Sequence, residues 1–145
     1  MEVPYHQFVS SAEKQARKEG IKNAEFVLGD AEEIPFNNTY FDVAISDCVI
    51  NLIPDKKKVF SEIYRVLKEG GQMVISDVVS DKEFPSKLKE DNNLWCGCVS
   101  GALPEDEYLA IIEEAGFKNL EVVERKDAQR VEEINISHLT VKAIK

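Results

Sequence analysis

The spacing of apolar residues in the first part of the chain predicts a helix, a strand and a loop. Apolar residues recur at helical spacing over residues 8–19, and Gly20 is of the type that commonly follows a helix C-terminus. A short apolar run over residues 24–28 predicts a strand. Residues 31–40 predict a loop, because a proline and an Asn-Asn pair favour turns there.

The middle of the chain predicts a strand–helix–strand unit. The sequence FDVAIS (residues 41–46) is typical of a buried strand. Asp55 is suited to cap the amphipathic helix that follows, and Gly70-Gly71 is expected to end it. Residues 72–79 supply the next strand. Two strands joined by a helix of this length are expected to be parallel neighbours.

The last part of the chain predicts two helices and two strands. Residues 86–93 have the pattern of a short helix, and a longer helix is expected between Pro104 and Gly116. Residues 120–124 and 138–144 then read as strands that pair antiparallel. The expected architecture is therefore α/β.

Length and charge limit the classes of function. The 145 residues suffice for one domain with a sizeable core, and no repeat or linker divides them, so residues 1–145 are predicted to form a single domain. The net charge of −9 repels phosphate backbones, so no nucleic-acid partner is expected. The lysine run at residues 56–58 is expected to be a solvated helix face.

The sequence also predicts where the protein resides and the state of its thiols. No apolar stretch approaches the length of a membrane span, and the N-terminus lacks the apolar core of a signal peptide. We therefore expect a cytoplasmic protein with no membrane partner. The three cysteines are an odd number and are expected to be reduced thiols.

Cys48 follows the strand predicted at residues 41–46. Ligands of open α/β sheets bind outside the carboxyl ends of strands, so this cysteine lies where chemistry is expected. Two interpretations are open from its position. In the first, it has a chemical role, as a ligand for a soft metal or metalloid or as a nucleophile. In the second, it is a small buried residue of the core.

Two further thiols, Cys96 and Cys98, occupy the glycine-containing segment WCGCVSGA. Thiols this close together can hold one thiophilic centre, and with Cys48 they would make a trigonal thiolate site. Their spacing is not that of structural zinc sites, which typically contain Cys-X2-Cys pairs.

Three aspartates lie near predicted strand ends. Asp30 is suited to accept a hydrogen bond from an amine, such as that of an adenine, or to form an Asx-turn. Asp47 and Asp77 have no spacing that would assign either of them as a general acid or base. No phosphate-binding glycine-rich loop is present.

Several segments in order resemble a known family. VLGDAEEIPF (residues 27–36), FDVAIS (41–46) and RVLKEGG (65–71) resemble motifs of class I S-adenosylmethionine-dependent methyltransferases. SDCVINL (46–52) and LWCGCVSGAL (94–103) resemble segments of arsenite methyltransferases. The resemblance implies a Rossmann-like fold with a mostly parallel sheet and a C-terminal antiparallel strand.

The resemblance also implies roles for individual residues. Asp30 and Ala31 would face the adenine of S-adenosylmethionine, and Ser46 would lie near its methionine end. Cys48 and Cys98 would hold trivalent arsenic, derived from arsenite as the small-molecule acceptor, so that its lone pair attacks the methyl group of the sulfonium. Such a transfer needs mainly alignment and exclusion of water. The role of Cys96 is left open.

Parts of the family pattern have no counterpart here. The family's first two strands, its glycine-rich loop and its upstream arsenic-binding cysteines are not found in the sequence. We therefore expect an N-terminally truncated domain that is inactive alone or is completed by another polypeptide. The alternative is a non-catalytic, thiol-rich binding module for a thiophilic ion or metalloid.

Loss of those strands would expose an apolar sheet edge, which is a pairing hazard. We expect residues 24–28 to pair directly with residues 41–46, or the edge to be buried in a homodimer or by a complementing chain.

Overall fold

The structure, a computed structural model, describes residues 5–85, 88, 99 and 101–145. It divides into two compact units, one that ends at Asp30 and one that comprises Ala31–Lys145. Cys96 and Cys98 lie outside the described residues, as does the short helix predicted at residues 86–93 except for Leu88.

The first unit contains helix α1 (Tyr5–Lys18), which confirms the first predicted helix and begins earlier than expected. Its C-terminus is closed as predicted at Gly20, which has a φ of 72°. The N–H of Gly20 donates to Arg17 O at 3.2 Å, and that of Ile21 donates to Ala16 O at 2.9 Å. These two bonds form a Schellman motif, which satisfies carbonyl groups at the end of the helix.

The prediction of a strand at residues 24–28 is wrong, because this segment has no regular structure. Its apolar side chains Phe26, Val27 and Leu28 are exposed. A strand forms only when a neighbouring backbone takes up its N–H and C=O groups, and no described strand pairs with this segment. The expected direct pairing with residues 41–46 is therefore not found among the described residues.

The second unit is built on a four-stranded sheet. In chain order, its strands are β1 (Phe41–Asp47), β2 (Leu67–Ser80), β3 (Lys118–Val131) and β4 (Ile134–Ile144). Their order in the sheet is β1-β2-β4-β3. β1 and β2 are parallel, whereas β4 is antiparallel to both β2 and β3. Three strands thus run in one direction, and the C-terminal strand runs against them, as predicted.

β1 is an edge strand and not the buried strand that its apolar sequence predicts. In the described sheet its one neighbour is β2. Val43 and Ile45, which share one face of the strand, are 50% and 78% exposed. Burial of a strand depends on what flanks it, which a run of apolar residues does not specify.

The connection between β1 and β2 is helix α2 (Lys56–Val66), whose N-terminus is capped as predicted by Asp55 Oδ1, which accepts from Lys58 N–H at 3.0 Å. The helix ends before Gly70-Gly71, where its end was predicted. Leu67 is already extended, with φ −74° and ψ 141°, and it pairs with Phe41 of β1. Strand pairing therefore prevails over the helical apolar pattern, and β2 runs on through both glycines.

Helix α3 (Glu105–Glu114) covers the predicted range, with Pro104 as its N-cap and Gly116 at φ 105° just beyond its end. The main core lies between α2, α3 and the sheet. Fully buried residues from all of these elements meet there, among them Phe60, Ile75, Tyr108, Ile112 and Val141. None of the described helices is long and apolar enough to cross a membrane.

Candidate functional site

Cys48 immediately follows β1 and is held in an unusual backbone conformation. Its φ of 54° lies in the left-handed region, which costs a non-glycine residue about 1–2 kcal/mol. Its N–H donates to Ser76 O of β2 at 2.8 Å, so the turn is fixed to the neighbouring strand. The side chain is half-buried. A strained residue held in place by its surroundings at a strand end is typical of a functional position.

Cys48 packs against a second apolar cluster, separate from the main core. The buried members of this second cluster are Val78, Phe84, Val99, Ala102, Ile134 and Ile136. Val99 directly follows Cys98 in the sequence. The positions of Cys98 and Cys96 themselves are not described, so their convergence on Cys48 stays a prediction. The described part of the chain contains no group of three or more His, Cys, Asp or Glu residues able to hold a metal ion.

A buried carboxylate, Asp77, lies in β2 close to the Cys48 turn. It accepts hydrogen bonds from the backbone N–H of Val78 at 3.1 Å, from the backbone N–H of Asn51 and from the Tyr108 hydroxyl at 3.4 Å. Burial raises the pKa of Asp77, and these bonds oppose the rise. Burial, together with the charge of Asp77 and its hydrogen bond with the hydroxyl, raises the pKa of Tyr108, which is therefore a donor.

Lys56 supplies the positive charge near this carboxylate. It is buried, contrary to the solvated face predicted for residues 56–58, and its Nζ donates to the carbonyl oxygens of Asn51 at 3.4 Å and Ile53 at 3.2 Å. Burial lowers the pKa of Lys56, and the charges of Asp77 and Glu107 oppose this. The turn after Cys48 thus has both an acidic and a basic partner.

An apolar cavity of ≈ 340 Å³ lies beside β1 and α2 in the second unit. Ala31 and Ser46, two of the three residues predicted to contact the cofactor, both line it. The third, Asp30, is the last residue of the first unit and is exposed, and its contact with an adenine stays a prediction. The rest of the lining is apolar and includes Phe36, Val43, Ile45, Ile50 and Ile63.

An ion pair on α2, Glu62–Arg65, contributes to holding the loop that carries Ala31. The Arg65 guanidinium donates to Ile34 O at 2.9 Å, to Phe36 O at 2.8 Å and to Asn38 Oδ1 at 2.9 Å. Glu62 accepts from the N–H of Ile34 at 2.9 Å and from Arg65 at 2.7 Å. This bond from Arg65 lowers the pKa of Glu62. The cavity wall is therefore anchored to the helix.

Sequence reasoning proposed Cys48, Ala31 and Ser46, whose roles stay predictions, and it missed the residues that hold the Cys48 turn in place. Asn51 and Tyr108 received no role, because their partners in β2 are distant in sequence, and Lys56 was assigned to a solvated helix face. The one local signal was the Glu62–Arg65 pair, spaced three residues apart on a helix beside a predicted loop.

Comparison with known proteins gives the family. Residues 6–116 match a family described as methyltransferase domain. The chain belongs to this methyltransferase family. It is 38% identical over 122 residues to the arsenite methyltransferase of Halobacterium salinarum, a match that covers 84% of this chain and 31% of the relative. It is 37% identical over 119 residues to the Homo sapiens arsenite methyltransferase, covering 75% and 32%. The chain thus spans about a third of the length of these relatives.

Solved structures confirm the class I methyltransferase fold. An arsenic(III) S-adenosylmethionine methyltransferase from Chlamydomonas reinhardtii superposes with a TM-score of 0.83 at 31% identity, covering 99% of this chain and 53% of that one. A phosphoethanolamine N-methyltransferase from Haemonchus contortus, solved with S-adenosyl-L-methionine, has a TM-score of 0.74 at 20% identity, covering 94% and 40%. The comparisons thus confirm the predicted likeness to arsenite methyltransferases and give no support to the alternative of a thiol-rich binding module.

Proposed function

We propose that this chain is an S-adenosylmethionine-dependent methyltransferase domain whose acceptor is trivalent arsenic. The observation that carries the proposal is the placement of Cys48. The thiol follows the carboxyl end of a strand, its backbone is held in a strained turn, and it packs against the cluster that contains Val99. The similarity to arsenite methyltransferases supplies the chemical class of the acceptor.

In this proposal Cys48 and Cys98 hold the arsenic as thiolates. Val99 supports the assignment of Cys98, because it is the next residue and is buried in the second apolar cluster, against which Cys48 packs. Cys96 is proposed as an additional ligand. Two thiolates on one arsenic keep its lone pair in a fixed direction, which is the alignment that methyl transfer requires.

The cofactor is proposed to contact Asp30, Ala31 and Ser46. The cavity fits an adenosyl group in chemical character, since its walls are apolar and Ser46 adds a polar group at the end of β1. When bound, S-adenosylmethionine supplies an electrophilic methyl group. The Glu62–Arg65 pair fixes the wall that carries Ala31. Exclusion of water from that region requires a cover over Val43 and Ile45, which are exposed in this chain.

Methyl transfer is further proposed to need a second polypeptide at the edge of β1, either in a homodimer or from a complementing chain. The support is the contrast between the two edge strands. In β1 the uncharged residues 43–46 follow one another, whereas in β3 charged residues recur along the strand and protect that edge. Reduced thiols as metalloid ligands are consistent with the predicted cytoplasmic location.

Titration calorimetry of the reduced chain tests the proposal, with S-adenosylmethionine and arsenite added separately and together. We expect heat from each ligand. Cys48→Ser is expected to weaken arsenite binding and to leave the S-adenosylmethionine heat unchanged. Cys96→Ser shows whether the third thiol contributes.

Two results would contradict the proposal. Arsenite binding that is as tight in Cys48→Ser as in the parent would exclude Cys48 as a ligand. Absence of heat with millimolar S-adenosylmethionine would exclude cofactor binding by the chain alone.

A further inference from the structure

The turn after Cys48 is fixed to β2 through Asn51. The backbone N–H of Asn51 donates to the Asp77 carboxylate, and its side-chain Nδ2 donates to Val78 O at 2.6 Å. Asn51 is fully buried within the 3-10 turn Ile50–Leu52. Because Cys48 N–H also bonds to Ser76 O, both ends of the turn are held by successive residues of one strand.

The other side of Asn51 meets Gly101. A Cβ built on Gly101 would lie 2.0 Å from the Asn51 carbonyl oxygen and 3.0 Å from its carbonyl carbon. Real side chains do not come this close to backbone atoms, so the two segments touch only because residue 101 is glycine. The Asn51 carbonyl also accepts from Lys56 Nζ, so it has little freedom to move away.

The two residues in contact lie at the same sequence distance from the two cysteines. Asn51 comes three residues after Cys48, and Gly101 comes three residues after Cys98. Segment 101–104 is itself fixed to β2, since Leu103 O accepts from Ser80 N–H at 2.9 Å and Pro104 forms a bridge with Ser80. Asn51 and Gly101, each three residues after one of the two cysteines, therefore meet at a backbone contact that allows no side chain between them.

We propose that Asn51 and Gly101 are positioning residues that set the separation of the Cys48 and Cys98 thiols. This inference rests on the proposed function, in which both thiols bind one arsenic. Capture of a single atom by two thiols gains its affinity from the high effective concentration of the second thiol, which is lost when the segments separate. Reaction of Cys48 with a reagent that needs one thiol does not depend on that separation.

The experiment compares these two reactions in the full-length reduced chain. The rate of Cys48 alkylation by iodoacetamide, followed by peptide mass spectrometry, reports the single thiol. The arsenite concentration that halves this rate reports capture by two thiols. Gly101→Ala is the test variant, and Gly70→Ala is the control, because Gly70 has a φ of 75° but no atom within 4 Å of its Cβ position.

We expect Gly101→Ala to raise the half-protecting arsenite concentration by at least about tenfold while the rate without arsenite stays within about threefold. Gly70→Ala is expected to match the parent in both. A purely structural role would change both measurements together. If circular dichroism shows that Gly101→Ala does not fold, Asn51→Ala is judged by the same criteria. This variant loses the bond to Val78 O, together with a buried Oδ1 that has no hydrogen-bond partner among the described residues.

Equal protection of Cys48 in the parent and in the folded test variant would overturn the positioning role alone. Absence of protection in the parent would overturn the proposed acceptor as well, so the two failures are distinguishable.

Discussion

The hydroxyl of Tyr108 lies 3.4 Å from Oδ2 of Asp77, and both residues are fully buried. This contact joins helix α3 to strand β2 at the level of the Cys48 turn. The Tyr108 ring packs edge-on against Phe60, with ring centroids 5.6 Å apart, so the hydroxyl is held in place by the core. Asp77 and Asn51 therefore connect the packed core to the candidate site.

Tyr108→Phe tests how much this bond contributes. The ring keeps its packing, but a buried carboxylate loses one of its donors. Because the bond is long, we expect a loss of about 1 kcal/mol in the free energy of unfolding, measured by urea titration. Tyr64→Phe is the control and should change stability by less than about 0.5 kcal/mol, because its hydroxyl makes no hydrogen bond with any described residue. Equal effects of the two substitutions would contradict the prediction.

Asp77 makes stability depend on pH with a definite sign. Burial raises the pKa of Asp77 above its usual 3.8, so the folded state binds this proton more tightly than the unfolded state. Between the usual and the raised value, the parent therefore loses stability as pH rises. Asparagine does not titrate. The free energy of unfolding of Asp77→Asn minus that of the parent should thus become more positive between about pH 4 and about pH 7.

Asp81 provides a control of opposite sign. Bonds from the side chain and the backbone N–H of Asn135 lower the pKa of Asp81, so its contribution is present above its usual pKa and is lost on acidification. The same difference for Asp81→Asn should become more negative as pH rises. Urea titrations at several pH values measure both variants, and trends of equal sign would contradict the assignment.

Ile45→Lys tests the proposed association at β1. Ile45 is 78% exposed, so the substitution should leave the free energy of unfolding nearly unchanged and should abolish association, measured by sedimentation velocity. Val123→Lys, at a residue 56% exposed on the other edge strand, is the control and should behave as the parent does. A parent that is strictly monomeric and gains no partner at this edge would contradict the proposal.

Salt distinguishes the two proposed kinds of partner. Antiparallel pairing of two β1 strands centred between Ala44 and Ile45 places Asp42 of one copy opposite Asp47 of the other. Screening of this repulsion by salt should strengthen a homodimer. A complementing chain with basic residues at these positions would be weakened by salt instead. Sedimentation at low and high ionic strength measures the direction.

Local patterns predicted the elements whose stability is local or pairs near neighbours. The glycine closure of α1, the Asp55 cap and the pairing of β3 with β4 all follow from short-range signals. The predicted strand at residues 24–28 and the burial of β1 failed for one reason: the described sheet supplies no strand beside residues 24–28 and none on the outer side of β1. The end of α2 was misplaced because Leu67 pairs with Phe41, a contact that no local pattern specifies.

The candidate site divides in the same way. Cys48 and Ser46 lie in a recognisable motif at the end of β1, and Ala31 lies in the segment VLGDAEEIPF, so all three could be named from the sequence, while their roles stay predictions. The role of Asn51 could not, because it depends on contacts with Asp77 and Gly101, which come from other elements. Side chains that bear the chemistry are visible in a sequence, whereas the backbone contacts that position them arise only on folding.

Arg65→Lys tests whether the ion pair on α2 controls the wall of the cavity. Lysine keeps the charge but lacks the planar fork that reaches Ile34 O, Phe36 O and Asn38 Oδ1 together. We expect faster amide hydrogen exchange in a peptide covering residues 31–40, measured by mass spectrometry, and no change over β4. Lys57→Gln, which removes an exposed pair with Glu114, should leave the exchange of both regions unchanged. If exchange over residues 31–40 is the same in Arg65→Lys and the parent, backbone bonds such as Thr39 N–H to Arg65 O suffice to hold the loop, and the ion pair does not fix the wall that carries Ala31.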